Sequence, residues 1–298
     1  MTADAAGTPA AEVEITGALV RGLLEDQHPD LAGLPISIYG AGWDNVMVRL
    51  GDNLALRLPR RAVAEQLLKN EQRWLPELAP RLPLPIPAPL RTGAPGRGYP
   101  FVWSVLSWID GEAADLAPPD ASEGPALARF LKAVHKPAPP DAPSNPVRDC
   151  PLCAKQPDTE RRMAILKAET VSITPQVERA WAEALAAPVD LPRGWIAGDV
   201  HARNVLVTDG KLAAFIDWGD MCAGDPATDL ASIWNLFEDA GARLAAIEAY
   251  DLTNATLARA RGWAVFYGVI LLETGRKDTP RHAAMGEAVL RRLTVDLT

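Results

Sequence analysis

Short segments in the N-terminal part of the chain alternate between apolar and polar positions, which is the spacing of β-strands with one buried face. Gly51, Asp52 and Asn53 separate two of these segments and favour a tight antiparallel turn. The predicted strands cover residues 36–39, 46–50, 54–58, 86–91 and 99–109. Helical spacing predicts helices over residues 12–27 and 62–75, the second burying Val63, Leu67, Trp74 and Leu75. The pattern therefore predicts a five-stranded antiparallel sheet with a helix after its third strand.

The pattern changes after Asp110 and Gly111, a pair of turn residues that predicts a hinge. Beyond it, helical spacing predicts helices over 123–134, over 159–187 and repeatedly over 226–293. Short strands are predicted at 195–196, 205–207 and 212–216, with Asp209-Gly210 as the turn between the last two. We therefore predict an α+β fold with a small antiparallel-sheet N-lobe (residues 1–109, including an N-terminal helix) and a larger, mostly helical C-lobe (residues 110–298).

Composition and charge exclude several classes of protein. The chain has 298 residues, of which 48% are hydrophobic and 23% charged, as in soluble globular proteins. A formal net charge of -8 argues against binding to nucleic acid or to an anionic membrane. The chain lacks a run of about 18 uncharged apolar residues, and residues 1–14 lack the features of a signal peptide. We therefore expect a cytoplasmic protein without membrane or nucleic-acid partners.

The cysteines add little chemistry to this picture. Cys150 and Cys153 have the spacing of half a zinc site, but a second pair of ligands is missing from the sequence. We expect two free thiols, and a reducing compartment suits a chain with three cysteines, the third being Cys222.

Three polar residues around the predicted C-terminal hairpin carry the chemistry. Asp199 lies five residues before Asn204, which directly precedes one strand, and Asp217 directly follows the returning strand. The hairpin therefore brings Asn204 and Asp217 to the same end, where their oxygen atoms suit Mg²⁺. Asp199 is placed to orient a hydroxyl group and to accept its proton, which fits phosphoryl transfer. The alternative interpretation is that these residues serve only as polar groups in turns.

The motifs around these residues resemble the aminoglycoside phosphotransferase family of kinase-like enzymes. They are residues 198–207 (GDVHARNVLV), 214–220 (AFIDWGD) and 224–231 (GDPATDLA). The resemblance extends over about residues 30–275. It implies a bilobal protein-kinase-like fold, with ATP or GTP as phosphate donor. It also implies that Asp199 is the catalytic base and that Asn204 and Asp217 bind Mg²⁺.

Neighbouring residues either follow or depart from the family pattern. The family pattern usually contains His-Gly-Asp, and this chain has Ala197 at the position of that histidine. We expect this replacement to alter the reaction rate rather than to abolish activity. His201 is retained, and a bracing role for it is favoured over contact with substrate. Asp225 is predicted to cap a helix that begins with Pro226, and Asp229 to bond the backbone of the catalytic loop.

The N-lobe supplies an independent set of candidates for nucleotide binding. Ala55 and Arg57 share one face of a predicted strand, where the kinase pattern Val-Ala-Ile-Lys places a lysine on the phosphates. Arg57 replaces that lysine and keeps its charge. Glu71 lies on the predicted buried face of the following helix, whereas Glu65 points away from it, so Arg57 is the expected partner of Glu71. A surface pairing of Glu71 along the helix is the alternative.

The remaining nucleotide contacts are implied by the resemblance alone. It places Leu106 beside adenine. The backbones of Ser107 and Ile109 are expected to hydrogen-bond the base. The glycine-bearing turn at residues 40–45, including Gly42, is expected to cover the phosphates, although a plain hairpin turn has the same composition.

The resemblance implies that the phosphate acceptor is a hydroxyl group of a small molecule. If the protein confers antibiotic resistance, this molecule is an aminoglycoside or another hydroxylated antibiotic. Carboxylates that could bind a polycationic acceptor are Asp220, Glu238, Asp239, Glu273 and Asp278, although ordinary helix surfaces carry the same residues. The acceptor pocket is expected from residues 140–190 and from the helices after residue 225. Two alternatives are a housekeeping metabolite kinase and a non-catalytic nucleotide-binding relic, which Ala197 and Arg57 suggest.

Overall fold

The computed structural model describes residues 9–298, with the side chain of Asp278 excepted. Residues 1–8, part of the segment considered above for a signal peptide, lie outside the described residues. The chain divides into two compact units. The N-terminal unit comprises the described residues up to Arg81 together with Pro85–Asp110, and the C-terminal unit comprises Leu82–Leu84 and Gly111–Thr298. The main boundary falls between Asp110 and Gly111, where the turn residues predict a hinge.

The strands described in the N-terminal unit form one antiparallel five-stranded sheet, as predicted. Its elements are α1 (Gly17–Gln27), β1 (Ile36–Ala41), β2 (Asn45–Leu50), β3 (Leu54–Pro59), α2 (Ala62–Leu78), β4 (Pro89–Gly93) and β5 (Trp103–Ser107). The strand order is β1-β2-β3-β5-β4, so β3 is central. Helix α2 packs against β3, β4 and β5, while α1 contributes Val20, Leu23 and Leu24 to a core formed with β2, β3 and β5.

Strand β5 is shorter than the apolar run that predicts it. Tyr99 and Phe101 are buried in the core, with their rings in edge-to-face contact, but the chain is folded there into a turn closed between Gly96 and Tyr99. The Tyr99 hydroxyl donates to the Pro59 carbonyl over 2.8 Å. The large side chains of Tyr99 and Phe101 therefore fill the core without pairing to a strand, and the pairing of β5 with β4 begins only at Trp103.

The buried face of α2 also differs from the prediction. Val63 is 58% exposed, and the buried positions are Ala64, Leu68, Glu71, Trp74, Leu75 and Leu78. Residues spaced three and four apart lie on one face of a helix. At its start that face is formed by Ala64 and Leu68 instead of the predicted Val63 and Leu67, which is only half-buried. The correction leaves Glu71 on the buried face.

The C-terminal unit is mostly helical, which confirms the predicted fold class. Its helices are α3 (Gly124–Val134), α4 (Gln156–Glu169), α5 (Pro175–Ala186), α6 (Ala227–Leu230), α7 (Ser232–Leu236), α8 (Ala240–Tyr250), α9 (Asn254–Asp278) and α10 (Pro280–Asp296). Its strands are β6 (Glu112–Ala113), β7 (Gly194–Ile196), β8 (Val205–Thr208), β9 (Lys211–Phe215) and β10 (Cys222–Gly224). They form two small sheets, of order β6-β8-β9 and β10-β7.

Helices α4 and α5 replace the single helix predicted over 159–187. Thr174 is extended, and its hydroxyl accepts a hydrogen bond from the Val177 amide over 3.3 Å, directly before Pro175 opens α5. An N-cap followed by proline is a strong start signal for a new helix, so the break is encoded locally.

Helix α9 is the core helix of this unit. Within the described residues it alone is long and apolar enough to cross a membrane by length and composition, and 61% of that apolar window is buried inside the protein. It packs against α4, α5, α6 and α10, which is the environment of a core helix in a soluble protein.

Candidate active site

The loop that carries Asp199 is fixed by its backbone. The amides of Ala197 and Gly198 donate to the Asp229 carboxylate over 2.7 and 2.9 Å, which is the contact predicted for Asp229. Gly198 has φ +84, and a Cβ at this position would lie 2.6 Å from the Asp220 carbonyl oxygen. Only glycine fits there, so the residue directly before Asp199 is held in one conformation.

His135 completes this support and was missed by sequence reasoning. Its Nε2 lies 3.2 Å from the Asp229 carboxylate and its Nδ1 lies 2.8 Å from the Tyr250 hydroxyl, with the ring buried. In the sequence His135 only follows a predicted helix, which gives no functional signal. Ala197 contributes its backbone amide to the same carboxylate, a role for which any non-proline residue suffices.

Asp229→Ala should destabilise the protein strongly because it leaves the buried amides of Ala197 and Gly198 without their acceptor. We expect the free energy of unfolding to fall by about 2–6 kcal/mol, since each of the two buried unsatisfied donors costs ~1–3 kcal/mol. Urea denaturation measures this, with the exposed Asp120→Ala as control, which should stay within about 0.5 kcal/mol of wild type. Equal midpoints for the two variants would show that the loop does not depend on Asp229.

Asp199 is held among cationic and polar groups of the C-terminal unit. Its side chain is 26% exposed, with Oδ1 lying 2.9 Å from Arg148 Nη2 and Oδ2 lying 3.5 Å from His201 Nε2. Burial acts to raise the pKa of the Asp199 carboxyl, but the charges of His201 and Arg148 outweigh it and hold this pKa well below its usual range. The carboxylate is therefore ionised at neutral pH.

Asn204 and Asp217 lie at the same end of the β8–β9 hairpin. The Ile216 amide donates to the Asn204 carbonyl over 2.8 Å, which places Asp217 one residue beyond the pairing. The Asn204 Nδ2 donates to the Asp199 carbonyl over 3.0 Å. Asp217 is exposed and has φ +61, an unusual backbone conformation for a residue other than glycine. The local fold thus groups the three residues that the motif predicts.

Asn204 and Asp217 are the residues that the sequence predicts as metal ligands. Within residues 9–298 no group of three or more His, Cys, Asp or Glu side chains is arranged to hold a metal ion. Asn204 and Asp217 offer one amide and one carboxylate, and Mg²⁺ commonly takes one or two carboxylates together with phosphate oxygens and water. Cys150 and Cys153, the other candidates, are free cysteines.

His201 braces the loop that carries Asp199. Its Nδ1 accepts a hydrogen bond from the Arg203 amide over 3.2 Å, and its Nε2 lies 3.4 Å from the Asn204 Nδ2. The ring therefore caps the turn between Asp199 and Asn204, in line with the bracing role favoured from the sequence.

Arg57 and Glu71 form a buried ion pair in the N-terminal unit. Arg57 Nη2 lies 3.1 Å from Glu71 Oε1, and the two side chains are 10% and 3% exposed. The pairing expected from the strand and helix patterns is thus present, and the surface pairing of Glu71 is wrong because this side chain is buried. Glu65, by contrast, pairs with the partly exposed Lys69.

The other candidates for nucleotide binding lie on the same sheet. Ala55 and Leu106 are buried directly opposite each other in the β3–β5 register. Because side chains alternate along a strand, both lie on the sheet face that carries Arg57. The Trp108 amide donates to the Asn53 carbonyl, so the backbone groups of Ser107 face the opposite edge of β5. Ile109 follows the end of β5, after Trp108.

Gly42 directly follows β1 and donates from its amide to the Asn45 carbonyl over 2.8 Å. The turn predicted over residues 40–45 is shorter in the structure, because β1 continues through Gly40 and Ala41 after a bulge.

The acceptor carboxylates predicted from the sequence are mostly used by the fold. Glu238 pairs with Arg291 and Arg292, and the hydrogen bond from Arg291 is the main cause that lowers the pKa of this carboxyl to about 2. Asp239 caps α8 at the Ala242 amide. The remaining described candidates are Asp220, which lies beside Asp199, and Glu273, which pairs with Arg162 and Lys277. The side chain of Asp278 lies outside the described residues.

These features are those of a kinase-like phosphotransferase, and comparison with known proteins specifies the family. The model of the phosphotransferase enzyme family (APH) matches residues 35–263, so the chain belongs to this family. A search of curated protein sequences finds no significant match.

Solved structures share the fold at low sequence identity. The aminoglycoside phosphotransferase APH(2")-IIIa in complex with GDP and kanamycin is 15% identical, with a TM-score of 0.64 over 94% of this chain and 99% of the other. The streptomycin–ATP complex of APH(2")-IIa is 17% identical, with a TM-score of 0.57 over 94% and 97%. The macrolide 2'-phosphotransferase MphH from Brachybacterium faecium is 20% identical, with a TM-score of 0.55 over 91% and 97%. The fold class predicted from the sequence is therefore confirmed.

Proposed function

We propose that the protein is an ATP-dependent O-phosphotransferase that moves the γ-phosphate to a hydroxyl group of a small molecule, with GTP as the alternative donor. The observation that carries the proposal is the ionised Asp199 carboxylate beside Asn204 and the end of the hairpin that bears Asp217. Family membership and the presence of GDP, ATP or ADP in the related structures support it.

The proposed reaction assigns one task to Asp199. The acceptor hydroxyl oxygen forms a bond to the γ-phosphorus while the bond to the β,γ-bridging oxygen breaks, and the nucleoside diphosphate leaves. Asp199 accepts the hydrogen bond of the attacking hydroxyl and takes its proton as the new bond forms. A carboxylate with a low pKa is a weak base, which suits a proton transfer that follows most of the bond formation to phosphorus. Positioning and charge stabilisation dominate the catalysis of phosphoryl transfer.

The donor set fits Mg²⁺ and a triphosphate. The Asn204 Nδ2 is bonded to the Asp199 carbonyl, which leaves the amide oxygen to coordinate together with the exposed Asp217 carboxylate. Bound Mg²⁺ would neutralise charge on the β- and γ-phosphates. In the N-terminal unit, Arg57 would bind phosphate oxygens with its orientation fixed by Glu71. We propose adenine contacts at Ala55 and Leu106.

Hydroxylated antibiotics are the first acceptors to test, since related structures hold kanamycin, gentamicin or streptomycin. We assign nucleotide binding to residues 1–109 and acceptor binding to residues 110–298, and we place the reaction in the cytoplasm, which suits free cysteines. A housekeeping metabolite kinase would phosphorylate other hydroxyl compounds, whereas a nucleotide-binding relic would bind ATP without transfer.

Mg²⁺ should raise the affinity for ATP, and Asp217→Ala should reduce this gain in affinity by about tenfold or more. Asn204→Ala should reduce it by less, because a charged ligand holds a hard cation more strongly than an amide. Calorimetric titration of ATP at several Mg²⁺ concentrations measures both. Asp209→Asn, at the exposed turn of the same hairpin, is the control and should match wild type. Unchanged Mg²⁺ dependence in Asp217→Ala would contradict the proposed metal site.

A further inference from the structure

Arg148 covers one side of the Asp199 carboxylate. Its Nη2 lies 2.9 Å from Asp199 Oδ1 and 2.7 Å from Asp220 Oδ2, and its Nη1 donates to the Tyr267 hydroxyl over 3.2 Å. The guanidinium carbon lies 5.6 Å from the centre of the Tyr267 ring, and the side chain is 15% exposed. A fixed cation therefore stands within hydrogen-bond distance of the group that would receive the acceptor hydroxyl.

The loop that presents Arg148 is tied to the same site. The Asn145 Nδ2 donates to Asp220 Oδ1 over 3.0 Å, and its Oδ1 accepts from the Val147 amide. The Ser144 hydroxyl donates to the Asp149 carboxylate over 2.9 Å, and the Asp149 amide donates to the Asn145 carbonyl. This bonding holds Arg148 in place as a built part of the site.

Further side chains lie around this part of the loop. His201 Nε2 lies 3.5 Å from Asp199 Oδ2, and Arg203 of the same loop contacts His282. The negative charge of Asp220 is compensated by Arg148, which binds this carboxylate through two nitrogens.

A polycationic acceptor needs carboxylates that are open to it, and the fold engages the four described candidates, Asp220, Glu238, Asp239 and Glu273. Asp220 and Glu273 are held by arginine side chains, and Glu273 is buried. Opening a buried ion pair leaves an uncompensated charge, which is strongly unfavourable. An ammonium group at Asp199 would also meet the Arg148 guanidinium, and like charges in contact oppose binding.

We propose that Arg148 is a specificity-determining residue and that the acceptor is a hydroxyl compound without positive charge beside its reactive hydroxyl, such as a neutral sugar or polyol. The guanidinium excludes ammonium groups from the Asp199 carboxylate, whose Oδ2 accepts the neutral hydroxyl of the acceptor. This inference rests on the proposed function, because that function places the acceptor at Asp199.

Kanamycin is the probe for the test, titrated calorimetrically into the full-length protein saturated with ADP and Mg²⁺. We expect weak binding to wild type and at least about tenfold tighter binding to Arg148→Gln, which frees Asp199 and Asp220 for ammonium groups. Arg148→Lys keeps the charge and should bind kanamycin as weakly as wild type.

The control is Arg73→Gln. Arg73 is exposed on α2 and pairs with Glu77, so this variant removes an arginine outside the proposed acceptor site and should keep the wild-type affinity for kanamycin. Tight binding or phosphorylation of kanamycin by wild type would overturn the proposal. So would equal affinities of wild type and Arg148→Gln. ATP titration and γ-phosphate transfer to neutral sugars, polyols, aminoglycosides and macrolides, measured on the same samples, report separately on the proposed function. Its failure would appear as absent nucleotide binding or as ATP binding without transfer to any of these acceptors.

Discussion

Asp199→Ala should lower the rate of phosphate transfer by about 10²–10⁴-fold, the range for loss of a positioned general base. The carboxylate is the group that would orient the acceptor hydroxyl and take its proton. Its loop is held by Asp229 through the backbone amides of Ala197 and Gly198, so the variant should keep its fold. Nucleotide binding should also persist, since Asn204 and Asp217 remain.

The comparison needs three measurements on each protein: transfer rate, ATP affinity and unfolding midpoint. Asp158→Ala is a suitable control, because Asp158 forms partly exposed ion pairs with Arg161 and Arg162 on α4 and such pairs contribute little. Wild-type turnover in Asp199→Ala would remove Asp199 from the mechanism. Loss of transfer together with loss of ATP affinity would indicate a metal ligand instead of a base.

Arg57→Ala should lose much more activity than Arg57→Lys, because lysine keeps the positive charge on the phosphates. Glu71→Ala should raise the nucleotide concentration required, since Arg57 loses the partner that orients it. The two side chains are 3.1 Å apart and buried, so removal of either leaves an uncompensated charge that costs about 3–5 kcal/mol of stability. The double variant avoids that charge and keeps the test informative where a single variant unfolds.

A double-mutant cycle measures whether the pair acts as a unit. We expect a coupling of about 1–3 kcal/mol for Arg57 and Glu71 in transfer rate and in unfolding. The control cycle uses Arg73 and Glu77, an exposed pair on the same helix, with expected coupling of ~1 kcal/mol or less in unfolding and no effect on transfer. Full activity in Arg57→Ala would show that another cation, such as Arg60 or Arg61, binds the phosphates.

Local sequence signals predicted the parts of the fold that depend on neighbouring residues. Turn residues at 51–53 and 209–210 and the alternation of apolar positions located the hairpins of both units. The spacing of Asp199, Asn204 and Asp217 indicated their grouping, because a hairpin brings its two ends together whatever surrounds it. Asp229 followed from the motif in the same way.

Long-range packing set the features that the sequence could not predict. Ala64 instead of Val63 is buried, because tertiary packing and not local hydrophobicity decides which face of α2 is covered. His135 contacts Asp229 across 94 residues of sequence, and Arg148 contacts Asp199 across 51. A lone histidine or arginine carries no local pattern that announces such a contact.

The most direct test of the account is transfer of the γ-phosphate itself. The protein with ATP and Mg²⁺ is incubated with a panel of hydroxylated small molecules, neutral sugars and polyols beside aminoglycosides and macrolides, and each product is weighed by mass spectrometry. The account predicts that at least one acceptor gains the mass of a single phosphoryl group, with ADP formed in equal amount, and that Asp199→Ala forms almost none of this product. Tight ATP binding with no phosphorylated product from any acceptor, or equal product from wild type and Asp199→Ala, would contradict it.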